Sequence, residues 1–310
     1  MSPTYSEYLR IEELLKLQTG VKRETRRISN DELHFILVHQ NFELWFKLII
    51  SELTCTRDIL SSDYVEETKL PQAVHHMDRV IEIFKLMSQQ WRVVETLEPQ
   101  DFLNFRDDLG TASGFESFQM REMESLMGSN WIDGKLVGKP GNGSSLYDVT
   151  CEWLERTPIQ GSVYNSKDDE KHVDTFISDY LSAHNKLYPD INKDVVKFFE
   201  GDISLRRRRA GLVFIESYRE LPLLSWPRKL ISTLIELEQS MVLWRCSHAR
   251  MVERMIGRRI GTGGSSGVDY LDMTTKYRVF VDLWTVRSIL IKKDALPRIK
   301  NKDFYEFRGD

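Results

Sequence analysis

Two histidines stand on stretches with helical spacing and apolar or aromatic neighbours, where an imidazole can do chemistry. His39 follows Phe35 by four residues and precedes Phe42 by three, so these side chains share one helix face. There the imidazole could bind a ligand N–H or transfer a proton. His248 shares its face with Trp244 and several methionines, and such a face suits the axial ligand of a heme iron. A histidine packed in the core is the alternative at both positions, and the spacing leaves both open.

An arginine and a glycine-rich segment could bind the charged end of a ligand. Arg106 follows Phe102 and Phe105, and an arginine beside aromatic rings can hold a carboxylate through two hydrogen bonds. A surface ion pair is the alternative. The segment GTGGSSG at 261–267 lacks the Lys-Ser/Thr of a P-loop, and Ser266 stands where a dinucleotide fingerprint needs its third glycine. We interpret it as a loop ordered by a ligand, with a flexible linker as the alternative.

Long helices must position these residues. A run without Gly or Pro follows Ser29-Asn30-Asp31-Glu32, a capping-box pattern, and predicts a helix over 29–60. The other predicted helices cover 71–93, 99–127 with a break at 110–114, 146–157, 170–200, 202–220, 228–256 and a last one ending near 290. The glycine-rich stretch 128–145 predicts an exposed loop or short hairpin. Because no segment alternates convincingly like a strand, we expect an all-α protein whose residues 1–310 form a single helical-bundle domain.

Composition excludes several classes of protein. The chain has 310 residues, of which 41% are hydrophobic, and its net charge is −4. An acidic balance argues against a nucleic-acid partner, so we interpret Arg206–Arg209 as a solvated helix face. No apolar window is long enough to span a membrane, and the first residues do not form a signal peptide. Three cysteines without a C-x-x-C motif favour a reducing compartment. Together with the charge and the lack of a membrane-spanning window, they lead us to expect a cytoplasmic protein without a membrane or nucleic-acid partner.

Several segments resemble the tryptophan 2,3-dioxygenase family, and together they extend through most of the chain. They are TYSEYL (4–9), LLKLQ (14–18), DELHFILVHQNFELWFK (31–47), FRDDLGTASGFESFQMRE (105–122) and LWRCSHARMVERMIGRRIGTGGSSGVDYL (243–271). EWLERTP (152–158) and YRVFVDLW (277–284) look closer to the animal-type members. The resemblance implies a helical bundle around a b-type heme, assembled as a homotetramer that is a dimer of dimers.

The same resemblance implies how the heme is held. His248 would be the axial ligand of the iron, which is ferrous in the active state, and Trp244 would contact the heme. Ser113 would lie close to both the heme and the bound substrate. His39 would lie on the opposite, distal side, near the indole N–H of L-tryptophan.

The remaining implied roles concern the substrate. Phe35 would pack on the indole, Arg106 would pair with the carboxylate, and Thr262 would contact the ammonium and carboxylate ends. Segment 1–20 would reach a neighbouring subunit, and its Tyr5 and Tyr8 would cover the pocket of that subunit. Phe102 stands where some bacterial members have Tyr, so a phenolic contact to the carboxylate would be absent.

The implied activity is the insertion of O2 across the C2–C3 bond of L-tryptophan, giving N-formylkynurenine as the first step of tryptophan degradation by the kynurenine pathway. His39 would orient the substrate without being an essential base, because indole N–H is a very weak acid. The first alternative is a heme monooxygenase on the same scaffold, acting on a substituted tryptophan or another aromatic amino acid. A heme or tryptophan sensor and a helical interaction protein without heme are further alternatives.

Overall fold

The fold is all-α apart from one short hairpin. A computed structural model of the chain describes residues 2–20, 27–110, 112–132, 135–137, 144–261 and 267–307. The helices of the first half are α1 (Tyr5–Leu9), α2 (Ile11–Leu14), α3 (Asn30–Leu60), α4 (Leu70–Val94), α5 (Pro99–Arg106), α6 (Phe118–Met127) and α7 (Leu146–Glu155). Those of the second half are α8 (Asp169–Leu187), α9 (Asn192–Phe198), α10 (Ile203–Ser217), α11 (Ser225–Ile256), α12 (Gly267–Thr274), α13 (Val281–Ile289) and α14 (Lys302–Tyr305). Strands β1 (Asn130–Ile132) and β2 (Lys135–Val137) pair antiparallel.

The chain divides into two compact units. The first unit comprises Met1–Ile49, Glu82–Glu122 and Ser240–Lys276, and the second comprises Ile50–Ile81, Met123–Gln239 and Tyr277–Asp310. The single domain expected over residues 1–310 stays a prediction. None of the helices in the described part of the chain is both long and apolar enough to cross a membrane.

In the first unit, aromatic side chains of α3, α4 and α11 form the core. The Trp244 ring lies 5.7 Å from the Phe46 ring and 6.1 Å from the Phe84 ring, and all three residues are buried. At the start of α3 the main-chain N–H of Glu32 donates to Oγ of Ser29 at 3.1 Å, which confirms Ser29 as the capping residue. Burial of these rings against one another holds the helices that carry the candidate site residues.

In the second unit, α8 and α10 pack through aromatic rings. The Phe176 and Phe214 rings are 5.4 Å apart, and the hydroxyl of Tyr180 donates to the main-chain oxygen of Ile289 at 2.9 Å. Gly128 turns the chain from α6 into the hairpin with a φ of +114°, and a Cβ there would lie 2.7 Å from Cβ of Tyr147. Only glycine is compatible with both this φ and this close approach.

Most predicted helices are confirmed, and the break predicted near 110–114 separates α5 from α6. The helix predicted over 170–200 is divided into α8 and α9. The expected exposed loop at 128–145 contains the β1–β2 hairpin, and part of it lies outside the described residues. The single last helix is wrong, because α12 and α13 are separate. The carboxylate of Glu238 binds the chain around the start of α13. It accepts hydrogen bonds from the main-chain N–H of Val279 (2.5 Å) and the indole N–H of Trp284 (2.6 Å).

The interpretation of Arg206–Arg209 as a solvated helix face is also wrong. Arg207 is only 4% exposed, and its guanidinium pairs with the buried carboxylate of Asp169 at 2.6 Å. Arg209 donates through Nε and Nη2 to Asp282, at 3.0 and 2.9 Å. The run therefore anchors α10 inside the second unit.

Candidate active site

A cavity of about 240 Å3 lies within the first unit and is lined mainly by apolar groups. Its aromatic wall consists of Phe35, Phe42, Phe46, Trp91, Phe102, Trp244 and Tyr270. The polar side chains that reach it include His39, Glu43, Arg106, Ser113, Arg121 and His248. A concave apolar chamber with a few convergent polar groups is typical of a small-molecule or cofactor site.

His248 presents one ring nitrogen that can reach the cavity. Its Nδ1 is fully buried and has no hydrogen-bond partner among the described residues, which leaves Nε2 as the nitrogen that can face the chamber. Burial lowers the pKa of His248 to about 3, and the nearby His39 acts in the same direction. The imidazole is therefore neutral at physiological pH, which is the form that binds a metal ion.

His39 is held in one defined tautomer. Its Nδ1 lies 2.8 Å from the main-chain oxygen of Phe35. Because a carbonyl oxygen only accepts, the Nδ1 carries the proton and Nε2 keeps a lone pair. Burial lowers the pKa of His39 below its ordinary value, although the bond to Phe35 and the charge of Glu43 act in the opposite direction. At neutral pH this histidine can thus accept a hydrogen bond from a ligand N–H.

Arg106 ends α5 at the rim of the same cavity. Its guanidinium donates to the main-chain oxygen of Ile260 at 2.6 Å, next to Gly261, which also lines the cavity. The Phe35 ring lies 5.8 Å from that of Phe102, one turn before the arginine. The site therefore combines a cation with aromatic walls, an arrangement that can bind an aromatic carboxylate.

The structure brings together most of the residues that the sequence singled out. Seven of them line the cavity: Phe35, His39, Phe102, Arg106, Ser113, Trp244 and His248. Tyr5 and Tyr8 do not line it and are 77% and 76% exposed. Thr262 lies outside the described residues, as do its neighbours through Ser266.

Sequence reasoning missed several residues that line this cavity, among them Trp91 and Glu43. Trp91 lies four residues after Met87 and continues the apolar stripe of α4, which was the available signal. Glu43 follows His39 by four residues, so helical spacing placed it on the same face. The amide Nε2 of Gln119 donates to both the carboxylate and the main-chain oxygen of Glu43, at 2.9 and 2.8 Å, a contact that spacing could not indicate.

The fold and the site define an all-α protein with two neutral histidines facing one apolar chamber. The family model described as tryptophan 2,3-dioxygenase matches residues 1–290 of the chain. The chain belongs to the tryptophan 2,3-dioxygenase family.

Curated relatives cover nearly the whole chain. Tryptophan 2,3-dioxygenase 2 of Ralstonia nicotianae is 40% identical, over 98% of this chain and 97% of its own. Tryptophan 2,3-dioxygenase of Sorangium cellulosum is 39% identical, over 98% of this chain and 87% of its own. Tryptophan 2,3-dioxygenase of Anopheles gambiae is 31% identical, over 96% of this chain and 88% of its own. The likeness therefore extends to an animal protein, although overall identity is higher to the two bacterial ones.

Proposed function

We propose that the protein is a heme-dependent oxidoreductase that inserts both atoms of O2 across the indole C2–C3 bond of L-tryptophan, giving N-formylkynurenine. Membership of the tryptophan 2,3-dioxygenase family supports this reaction. One observation of the structure carries it. His248 and His39 face the same apolar cavity, each neutral, and Arg106 stands at its rim. An iron ligand, an acceptor for an indole N–H and a carboxylate partner are what this reaction requires of a protein.

The residues of the cavity fit a b-type heme. Nε2 of His248 would bind the heme iron, since Nδ1 is fully buried and has no hydrogen-bond partner in the described part of the chain. Trp244 and Ser113 line the same chamber and would contact the heme. When bound in its ferrous state, the heme supplies the dioxygen chemistry that amino-acid side chains lack.

The chain's own residues would bind and orient the substrate. Arg106 pairs with the carboxylate, and only one of its five N–H donors is needed for Ile260. Phe35 packs on the indole, and Nε2 of His39 accepts the indole N–H, because its Nδ1 proton is engaged by the oxygen of Phe35. Phe102 closes the wall beside Arg106 without offering a hydroxyl. His39 orients the substrate and is not a strong base.

Closure of the pocket would depend on segments outside this cavity. Thr262 would contact the ammonium and carboxylate ends of the substrate, and Tyr5 and Tyr8 of a neighbouring subunit would cover the opening. This arrangement requires at least a second copy of the chain, and we propose a homotetramer built as a dimer of dimers. Closure of the pocket would exclude water from the reacting atoms. The exposed rings of Tyr5 and Tyr8 support an intersubunit role, as large exposed aromatic side chains are typical of contact surfaces.

The three cysteines bear on the cellular compartment of the protein. All three cysteines, Cys55, Cys151 and Cys246, are free thiols. Free thiols suit a reducing compartment, and we propose that the enzyme acts in the cytoplasm.

The test is the mass of the product. Reduced, heme-reconstituted protein receives L-tryptophan under anaerobic conditions and then air enriched in 18O2. A product heavier by two labelled oxygen atoms is expected, and the His248→Ala variant should form none. A product with one labelled oxygen would assign a monooxygenase instead. A clean heme spectrum without any product from L-tryptophan would contradict the proposed substrate.

A further inference from the structure

The indole of Trp91 lies flat against the imidazole of His248. Their ring centroids are 4.4 Å apart and their planes differ by 5°. Trp91 is buried, and the Phe42 ring lies 4.2 Å from its indole. Because Phe42, Trp91 and His248 come from α3, α4 and α11, three helices hold this column of rings in place.

His248 lacks the support that usually orients a metal-binding imidazole. Such a ligand almost always donates its second ring N–H to a carboxylate, a carbonyl or a water molecule, which sets the plane of the ring. Here Nδ1 is fully buried and has no hydrogen-bond partner among the described residues. No hydrogen bond from that part of the chain therefore limits rotation of the imidazole about its bond to Cβ.

Trp91 is the ring best placed to replace that restraint. Among the described residues, the only other ring stacked near the imidazole is that of Trp244. The centroids of these two rings are 6.0 Å apart, and their planes differ by 25°. Trp244 also precedes His248 by one turn of the same helix, so it moves with the histidine. Trp91 approaches from a different helix and can hold the imidazole plane against rotation.

The indole N–H of Trp91 points to the same role. Nε1 is fully buried and has no hydrogen-bond partner in the described part of the chain. Burying an unpaired N–H is unfavourable, so a phenylalanine or leucine would satisfy a purely packing requirement better. What tryptophan adds at this position is a broad flat face, and that face lies against the imidazole.

We infer that Trp91 is a positioning residue that fixes the ring plane of His248 by stacking, in place of the usual hydrogen bond to Nδ1. This inference rests on the proposed function, in which His248 would bind the heme iron. It predicts that the geometry at the iron depends on an aromatic ring at position 91. A hydrogen-bond acceptor at Nδ1 would also make the imidazole more basic, and stacking restrains the ring without that change.

The experiment compares ringless and ring-bearing variants of the full-length holoenzyme. Trp91→Leu and Trp91→Met remove the ring, Trp91→Phe keeps a smaller one, and Phe84→Leu is the matched control. Phe84 is a buried ring of the same helix that contacts Trp244 but does not line the cavity. Two quantities are measured on each protein: the iron–imidazole stretching band of the ferrous form, by resonance Raman spectroscopy, and the rate of heme transfer to excess apomyoglobin.

The ringless variants should show a broadened or shifted band and lose heme at least about tenfold faster, as for other losses of support around a metal ligand. Trp91→Phe should keep the band at the parent position and width, and Phe84→Leu should leave the band unchanged. A parent-like band in both ringless variants, with heme loss no faster than in Phe84→Leu, would reduce Trp91 to a packing residue. If the parent protein lacks this band, or if a His248→Ala variant keeps it, His248 is not the iron ligand. Either result would overturn both that assignment and the inference about Trp91.

Discussion

The guanidinium of Arg106 donates a hydrogen bond of 2.6 Å to the main-chain oxygen of Ile260. This bond joins the end of α5 to the residue before Gly261, and both Arg106 and Gly261 line the cavity. It fixes a long, flexible side chain at the rim, so less conformational entropy is lost when a substrate carboxylate binds. The cation of the candidate site is thus preorganised by the main chain just before the glycine-rich segment.

Replacing Arg106 should weaken substrate binding. Arg106→Leu removes a charged, two-pronged hydrogen-bond donor, a loss of about 2–5 kcal/mol, and KM for L-tryptophan should rise roughly 30-fold or more. Arg106→Lys keeps the charge but not the two-pronged guanidinium donor. Its KM for L-tryptophan should lie between those of the parent and of Arg106→Leu. Steady-state kinetics on heme-loaded protein measures both. An unchanged KM in Arg106→Leu would mean that the carboxylate binds elsewhere.

His39 should contribute a single neutral hydrogen bond. His39→Leu keeps an apolar side chain in the cavity but removes the acceptor, so kcat/KM for L-tryptophan should fall about 2–10-fold, the value of one such bond. The matched control is 1-methyl-L-tryptophan, which has no indole N–H to donate. The substitution should leave kcat/KM for this analogue nearly unchanged. An equal loss on both substrates would show that His39 acts by packing rather than by accepting the N–H.

Glu52 should make the second unit sensitive to acid. Its buried carboxylate accepts from Nδ1 of His76 at 2.5 Å and from the guanidinium of Arg79. Burial alone would raise the pKa of Glu52, but these two hydrogen bonds hold it below its ordinary value of 4.5. The unfolded chain therefore takes up the proton first. The stabilisation is complete above about pH 4.5 and is lost as the pH falls through the lower, folded-state pKa.

Glu52→Gln tests this dependence by urea unfolding at several pH values. At pH 7 the free energy of unfolding of the variant should be about 1–3 kcal/mol lower than that of the parent. This difference in stability should shrink below about pH 4.5. The control is Glu82→Gln, which breaks the exposed pair with Lys85 and should cost under about 0.5 kcal/mol. A Glu52→Gln deficit that stays constant down to pH 3 would contradict the role of the charge.

Arg207 should be one of the most sensitive positions of the second unit. Both members of its ion pair with Asp169 are buried, so Arg207→Met leaves a buried carboxylate without its counter-ion. The free energy of unfolding should fall by about 3–5 kcal/mol. The double variant Arg207→Met/Asp169→Leu should be more stable than Arg207→Met alone. Its neighbour Arg206 pairs with the more exposed Glu170 and Asp174, so Arg206→Met should cost under about 1 kcal/mol in the same denaturation experiment.

Helices were predictable wherever the signal is local. The run after Ser29 contains no Gly or Pro, and the observed α3 begins one residue later, at Asn30. The division between α12 and α13 was not predictable, because no proline or glycine marks it. Glu238, which binds the main chain just before α13, lies 41 residues away from Val279 in the sequence. The burial of Arg207 was missed for the same reason, since Asp169 is remote in sequence.

The sequence by itself determined which helix faces carry His39, His248 and their aromatic neighbours, because helical periodicity depends only on residues a few positions apart. Only the tertiary structure decided that these faces meet at one cavity, that Nδ1 of His39 binds the oxygen of Phe35, and that Trp91 lies flat on His248. Ring planes and cavity walls depend on how distant helices pack, and a side chain's periodic position does not specify its partner on another helix.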